Sequence, residues 1–351
     1  MQTLRVPADR EGIIKAVRVL AQGGLVAFPT ETVYGLGANA LDSQAVLSIF
    51  RAKGRPADNP LIAHVSGIAQ AREYGRWGPL AQDLAQAFWP GPLTLIVERL
   101  DSMPSQVSAG LPTLALRLPG HEAARALITA CGFPLAAPSA NRSGRPSPTT
   151  AQHVLDDLEG LIPLVLDGGP SQVGLESTVV DVTGGHPRIL RPGAVTPEMI
   201  AMAVGECQVA DAVMRQLAPQ EAAPSPGMRH RHYAPRARMT LVEGPPEAAR
   251  ERLLRLAQGR DDTWVLALEG LLPRTPGLQL RSLGRDAREA AHRLFHLLRE
   301  ADQQGVRQIY AQTLPRDGLG LAVMNRLARA ANFNTIQAGE TPDEEPMERK
   351  D

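Results

Sequence analysis

Three short polar stretches of this sequence each place hydrogen-bonding side chains where an apolar run ends. FPTETVYGL (28–36) offers Thr30, Glu31 and Thr32; KGRPADNPL (53–61) offers Lys53, Arg55 and Asn59; PSANRSGRPSP (138–148) offers Ser139, Asn141 and Ser147. Loops carried by a rigid scaffold are where functional groups are commonly presented. Residues at i and i+2 of extended chain point the same way, so Lys53 with Arg55, and Ser139 with Asn141, can each address one ligand face. Toward a phosphate, lysine is a mobile point charge and arginine a planar fork. With Ser and Asn as neutral donors, the set makes an oxyanion site without a P-loop. Plainer uses exist for the same residues. Lys53 and Arg55 would also meet the dipole of a helix C-terminus, and Ser, Asn and Gly form turns for local reasons. Type and spacing alone do not choose between these uses.

Standard nucleotide signatures are weak or missing. A Walker A loop needs Gly-Lys, which occurs nowhere. Gly35-Leu-Gly37-Ala-Asn-Ala40 partly matches a dinucleotide fingerprint, but helical periodicity starts only near Asp42, too late for a helix that must open at the glycines. DGGPSQVGLEST (167–178) reads as a glycine-rich turn. Arg117, inside TLALRLP, is a cation in an apolar strand and needs an anionic partner or an exit to water. His64 in LIAHV fits a satisfied core histidine. His230 and His232 lack further ligands nearby, and Cys131 and Cys207 give neither a disulfide framework nor zinc spacing, so no metal site is expected. Lysine occurs only at Lys15, Lys53 and Lys350, leaving 34 of the 37 cations as arginine. Against that bias a retained lysine is informative, and most arginines are not.

The elements that must hold these loops are legible. Residues 24–28, 61–65, 93–98, 113–118, 163–167 and 177–182 read as short strands between turn residues. Helical patterns fill 42–53, 79–88, 120–131 and 149–158, with Asp42 or Ser43 as a cap for the first. Mixed strands and helices over 1–204 predict one α/β domain with a twisted sheet. Residues 205–238 carry Pro219, Pro224, Pro226 and Pro235 with little periodicity and read as a linker. Residues 239–340 alternate strands and helices again, as a smaller βαβ domain, and 341–351 read as a frayed tail. Two domains suit 351 residues at about 150 each. With 43% apolar and 21% charged residues the chain is neither disordered nor fibrous. Its formal net charge is zero, so an anionic partner must meet a local patch. No apolar run approaches the ~18 residues of a membrane span, and MQTLRVPADR has no signal core. A soluble cytoplasmic protein without membrane partners is expected.

Taken together, FPTETVYGLGANA, KGRPADNPL, FWPGPLTL, LALRLP, PSANRSG, GLESTVVD and ILRPGAV, in this order, resemble the YrdC-like family of threonylcarbamoyl-AMP synthases. SPGMRHRHYAP and LGLAVMNRLARAA resemble its longer, two-domain type. The resemblance runs along nearly the whole chain. It implies a twisted open mixed sheet with a concave basic face, followed by a Rossmann-like C-terminal domain. It also implies a reaction: L-threonine, bicarbonate and ATP give threonylcarbamoyl-AMP and pyrophosphate, with Mg²⁺ carried by the ATP phosphates. Partner proteins would then transfer the threonylcarbamoyl group to tRNA, beside the anticodon. By the same resemblance, Lys53 and Arg55 (catalytic), Ser139 and Asn141 lie at the ATP phosphates. Asn59, Thr113, Ser147 (or Thr149) and Arg191 match further nucleotide contacts. Thr32, His64, Arg117 and Ser177 match a threonine pocket, and Tyr233 a residue that closes over the nucleotide.

The chemistry agrees with such a set. A carbamate is short-lived in water, so holding reactants together and dry matters more than a strong acid or base. Arg117 would pair with the threonine carboxylate. Residues 226–238 carry Arg229, Arg231, Arg236 and Arg238 with no acid, and are expected to lie over the pocket as a lid. The rival reading is an RNA-binding module with a basic concave surface, salt-steep and weakly specific; a weak direct contact with tRNA is compatible with either.

Overall fold

The computed structural model describes residues 2–215, 233–273 and 275–339. The expectations placed on Arg229, Arg231, His230, His232 and the 341–351 tail lie outside the described residues. In chain order the first part contains β1 (Leu4–Pro7), α1 (Arg10–Ala21), β2 (Val26–Phe28), β3 (Gly35–Asn39), α2 (Ser43–Lys53), β4 (Ile62–His64), α3 (Ile68–Arg72), α4 (Pro79–Phe88) and β5 (Leu93–Glu98). It continues with β6 (Thr113–Arg117), α5 (Glu122–Cys131), β7 (Leu135–Ala137), α6 (Ala151–Leu158), β8 (Leu164–Asp167), β9 (Thr178–Asp181), β10 (Arg188–Arg191), α7 (Pro197–Val204) and β11 (Gln208–Val209). Their strands form one mixed sheet of eleven, in the order β1-β8-β2-β3-β7-β4-β6-β5-β9-β10-β11.

Local causes are visible at the elements that bear on the loops. Asp42 caps α2, accepting from the amides of Gln44 and Ala45 at 2.9 and 3.2 Å. The helix buries Ala45, Val46, Ile49 and Phe50, and with them Lys53. Gly54 stops it at φ +60, a left-handed conformation that favours glycine. β3 consists of GLGAN, a poor strand by propensity. It is a strand because it runs antiparallel between β2 and β7, with Gly35 and Gly37 opposite Phe28 and Val26. A Cβ on either glycine would lie 3.1 or 2.9 Å from the Phe28 ring, so the ring occupies the space that side chains would take. The partial dinucleotide fingerprint at 35–40 is therefore strand, not a helix-opening loop.

The second part is a parallel sheet, β14-β13-β15-β12-β16, built from β12 (Arg238–Glu243), β13 (Thr263–Leu268), β14 (Gln279–Gly284), β15 (Gln308–Gln312) and β16 (Thr335–Gln337). α8 (Pro246–Ala257) packs into one apolar cluster; α9 (Ala287–Gln303) and α10 (Gly318–Ala330) share another. That second cluster also takes in Val33 and Leu175 from loops of the first sheet. Among the described residues, two ion pairs cross the same boundary: Arg299 to Asp157 at 2.8 Å and Arg326 to Glu176 at 2.9 Å.

The linker starts later than its sequence suggests. β11 pairs in parallel with β10, so the first sheet reaches Val209, past the expected boundary at 204. A short 3-10 turn, Asp211–Val213, follows and buries Val213. A two-residue strand carries no periodicity of its own and only its partner makes it one. β12 opens at Arg238, inside the stretch read as linker. Among the described residues no helix is long and apolar enough to cross a membrane.

Candidate active site

The site lies on one face of the large sheet. Ile62 and His64, two apart on β4, share that face. Ala137 of β7 stands opposite Ile62, and Arg117 of β6 opposite His64. The 29–34 loop closes one side, and the chain after β7 another, through an isolated bridge between Gly35 and Ser139. Together they line a pocket whose walls also include Arg55, Glu176, Arg191 and Tyr233.

Seven of the residues expected from the sequence line this pocket: Thr32, Arg55, His64, Arg117, Ser139, Arg191 and Tyr233. Four more are buried one layer behind and bonded to its wall. Lys53 donates to the Ser139 carbonyl at 2.5 Å and to the Asn141 carbonyl. Asn141 accepts from the Ser139 hydroxyl at 2.5 Å and donates to the carbonyls of Arg142 and Arg145. Ser147 donates to Glu176. Ser177 accepts from Arg191 Nη2 at 3.0 Å and pairs with the Thr94 hydroxyl at 2.7 Å. Lys53, Ser139 and Asn141 thus spend on the 139–145 loop the donors that the sequence assigned to phosphates. Asn59 is buried under Arg55, its carbonyl accepting from Nη2 at 3.4 Å and its Oδ1 without a partner among the described residues. Thr113 is not brought to this pocket: it opens β6, four residues and about 13 Å of strand before Arg117.

Arg117 resolves its oddity within the chain. Its Nη2 meets Glu31 at 2.7 Å, both side chains being buried, and its Nε approaches the Gly91 carbonyl at 3.4 Å. Nη1 makes no hydrogen bond among the described residues. Burial would raise the Glu31 carboxyl, but Arg117 beside it outweighs that and holds it below the usual range. Thr30 donates to the Val33 carbonyl at 2.5 Å, so its contact with Thr32 at 2.8 Å must use the Thr32 hydrogen. Thr32 therefore turns lone pairs to the pocket. Arg55 keeps its Nε buried and unpaired among the described residues, and burial brings its guanidinium down to about 10, still cationic near neutrality.

His64 sits edge-on to Phe28 with ring centroids 5.8 Å apart. Burial, with Arg117 adding to it, pushes the imidazole down to about 3, so it is neutral in the folded protein at ordinary pH. The unfolded chain takes up this proton near 6.5. Stability from His64 is thus complete above about pH 6.5 and falls as pH drops toward 3. Denaturation midpoints at pH 7.5 and 5 should fall further for the native chain than for His64→Gln. Equal losses would mean that His64 is protonated without cost in the fold.

Sequence reasoning left four residues out of its site set. Glu31 and Thr30 were visible beside Thr32; Glu176, in GLESTVVD, was visible beside Ser177. Arg326 of α10, which reaches the pocket wall, lies in MNRLARAA and is fully buried. A cation in an apolar helix carries the same warning as Arg117 in its strand.

A mixed α/β domain with a cationic pocket, locked to a parallel α/β domain, defines the class. A family model described as "Telomere recombination" matches residues 18–193, and one described as "Threonylcarbamoyl-AMP synthase, C-terminal domain" matches 195–332. The chain is 44% identical to a threonylcarbamoyl-AMP synthase of Pyrococcus abyssi over 92% of its length and 94% of the relative's. The figures are 44%, 93% and 94% for the Bacillus subtilis protein of that name. A crystal structure of P. abyssi Sua5 complexed with L-threonine superposes with a TM-score of 0.88 at 42% identity, covering 96% of this chain and 98% of that one. The chain belongs to the threonylcarbamoyl-AMP synthase family.

Proposed function

We propose that this pocket joins L-threonine, bicarbonate and ATP into threonylcarbamoyl-AMP, releasing pyrophosphate and water. One observation carries the proposal: a half-satisfied buried guanidinium beside a neutral imidazole shares a single cavity with Arg55, Arg191 and Ser139. The first pair suits a small amino acid, and Arg55 with Arg191 an oxyanion chain. The threonine carboxylate would take Arg117 Nη1, and Thr32 would accept from the substrate's hydroxyl or amine. The amine, unprotonated, attacks carbon dioxide or bicarbonate to give the carbamate. A carbamate oxygen then attacks the α-phosphorus and pyrophosphate leaves. No protein nucleophile is needed; the residues hold both reactants in reach and away from water. Arg55 and Arg191 would offset charge building on the phosphates. Mg²⁺ would arrive on the ATP phosphates, because the pocket's acids, Glu31 and Glu176, are each bonded to an arginine. The product's threonylcarbamoyl group is labile enough to be passed by partner proteins to tRNA beside the anticodon. The test is pyrophosphate release that requires both threonine and bicarbonate, with bicarbonate carbon recovered in the nucleotide product. Release that ignores threonine would sink the proposal.

Arg117 has two duties here, and paired substitutions separate them. Arg117→Met should cost about 3–5 kcal/mol, because it strands the buried Glu31 carboxylate. Adding Glu31→Gln should restore most of that stability. The double variant should still show a threonine KM raised about 10-fold or more, the loss of one charge-assisted hydrogen bond. A stable double variant with an unchanged threonine KM would remove Arg117 from the threonine site.

A further inference from the structure

We infer that Arg326, supplied by the C-terminal domain, is a positioning residue for the nucleotide side of the pocket. The inference rests on the proposed reaction only in taking ATP as the nucleotide. Arg326 is fully buried and all three guanidinium nitrogens are used. Nε donates to Glu176 Oε2 at 2.9 Å, Nη2 to the Glu176 carbonyl at 3.3 Å, and Nη1 to the Pro192 carbonyl at 2.7 Å. Its guanidinium also lies 5.6 Å from the centroid of the Tyr233 ring. One side chain of α10 therefore grips the segment at Glu176, the residue that follows Arg191, and the face of Tyr233.

Each grip is on a wall of the pocket. Glu176, Arg191 and Tyr233 all line it, and Arg191 is tied to the same segment through the Ser177 carbonyl and hydroxyl, both at 3.0 Å. Glu176 is ionised, because Arg326 and Arg191 outweigh the effect of burial. Its charge is thus cancelled by a cation from outside the first domain, and Arg191 is left to face an anionic ligand. Tyr233 holds φ +64, a conformation a tyrosine rarely adopts, between Arg326 and Phe295 of α9, whose ring lies 5.3 Å away. The C-terminal domain is on this account part of the active site, although none of its described residues lines the pocket.

The measurement is ATP affinity by calorimetry together with ATP and threonine KM, on the full chain. Arg326→Lys keeps the charge but loses the fork, and should weaken ATP binding and raise its KM by about 10-fold or more. The threonine KM should change less than about twofold, since Thr32, His64 and Arg117 are held by other elements. Arg326→Met, which strands Glu176, is expected to unfold readily. Arg326→Met with Glu176→Gln should recover thermal stability without recovering ATP affinity. Recovery of both, or an Arg326→Lys chain with native ATP affinity, would leave Arg326 a purely structural contact and overturn the inference. A native chain that binds ATP but shows no threonine-dependent turnover would overturn the proposed reaction alone; one that binds no ATP would overturn both.

Discussion

Replacing Lys53 by alanine is expected to cut threonine-dependent pyrophosphate release by at least about 100-fold and to destabilise the fold by about 1–3 kcal/mol. As a helix-end cation its removal would cost only ~0.3–1 kcal/mol. The structure changes that figure. Lys53 is 2% exposed and its ammonium bonds to the carbonyls of Ser139 and Asn141. Burial and the neighbouring Arg55 push its pKa well below the ordinary value. Alanine would leave two buried acceptors unmet and free the loop that presents Pro138 and Ser139 to the pocket. Displacing that wall by even about 1 Å is enough for a 100-fold loss. Lys53→Arg should not rescue turnover, since a planar fork does not fit a slot shaped for one ammonium. The checks are kcat, ATP KM and a denaturation midpoint on each variant. Native turnover with native stability in Lys53→Ala would show that the loop holds itself.

Lys53 also shows where a sequence stops being informative. Its importance was legible, from a lysine kept among 34 arginines and set two before Arg55. Its direction was not, because i and i+2 share a face only in extended chain. Lys53 is the last residue of α2, and Gly54 turns the backbone away at φ +60. Arg55 therefore reaches the pocket while Lys53 points beneath it. Ser139 and Asn141 were likewise read as outward donors, when Asn141 spends both amide hydrogens on the carbonyls of Arg142 and Arg145.

A continuous apolar run, as in LTLIVE, is legible to the residue. β3 was missed because its glycines suit a strand only once the Phe28 ring lies across them. β11 was missed because two residues have no pattern apart from β10. Arg117 was recognisable as a cation in need of an anion, yet Glu31 as the partner is a fact of the fold, 86 positions away in the chain. Arg326 met the same criterion and was passed over, since arginine dominates the cations of this chain. Burial rather than residue type separates Arg326, Arg299 and five other arginines, Arg117 and Arg191 among them, from the exposed ones.

Substrate choice gives the largest expected effect. Threonine should be preferred over valine by about 10⁴-fold in kcat/KM, because a site built to bond a hydroxyl rejects the analogue that lacks it. Thr32 is committed by Thr30 to accepting, so it waits for a donor. Neutral His64, 3% exposed, has Nδ1 near the Ile62 carbonyl at 3.2 Å and cannot re-solvate. Valine would fill the same volume and leave these groups dry and unpaired. Serine keeps the hydroxyl and lacks only the methyl, for which Ile62 and Ala137 supply an apolar wall. That loss should cost ~1–3 kcal/mol, or about 10–200-fold. The order threonine, serine, valine thus follows from which atoms are bonded rather than from size, since valine is the closer match in volume. Competition assays with the three amino acids at fixed ATP and bicarbonate measure the ratios. Valine turning over as well as serine would mean that Thr32 and His64 face a part of the ligand other than the threonine side chain.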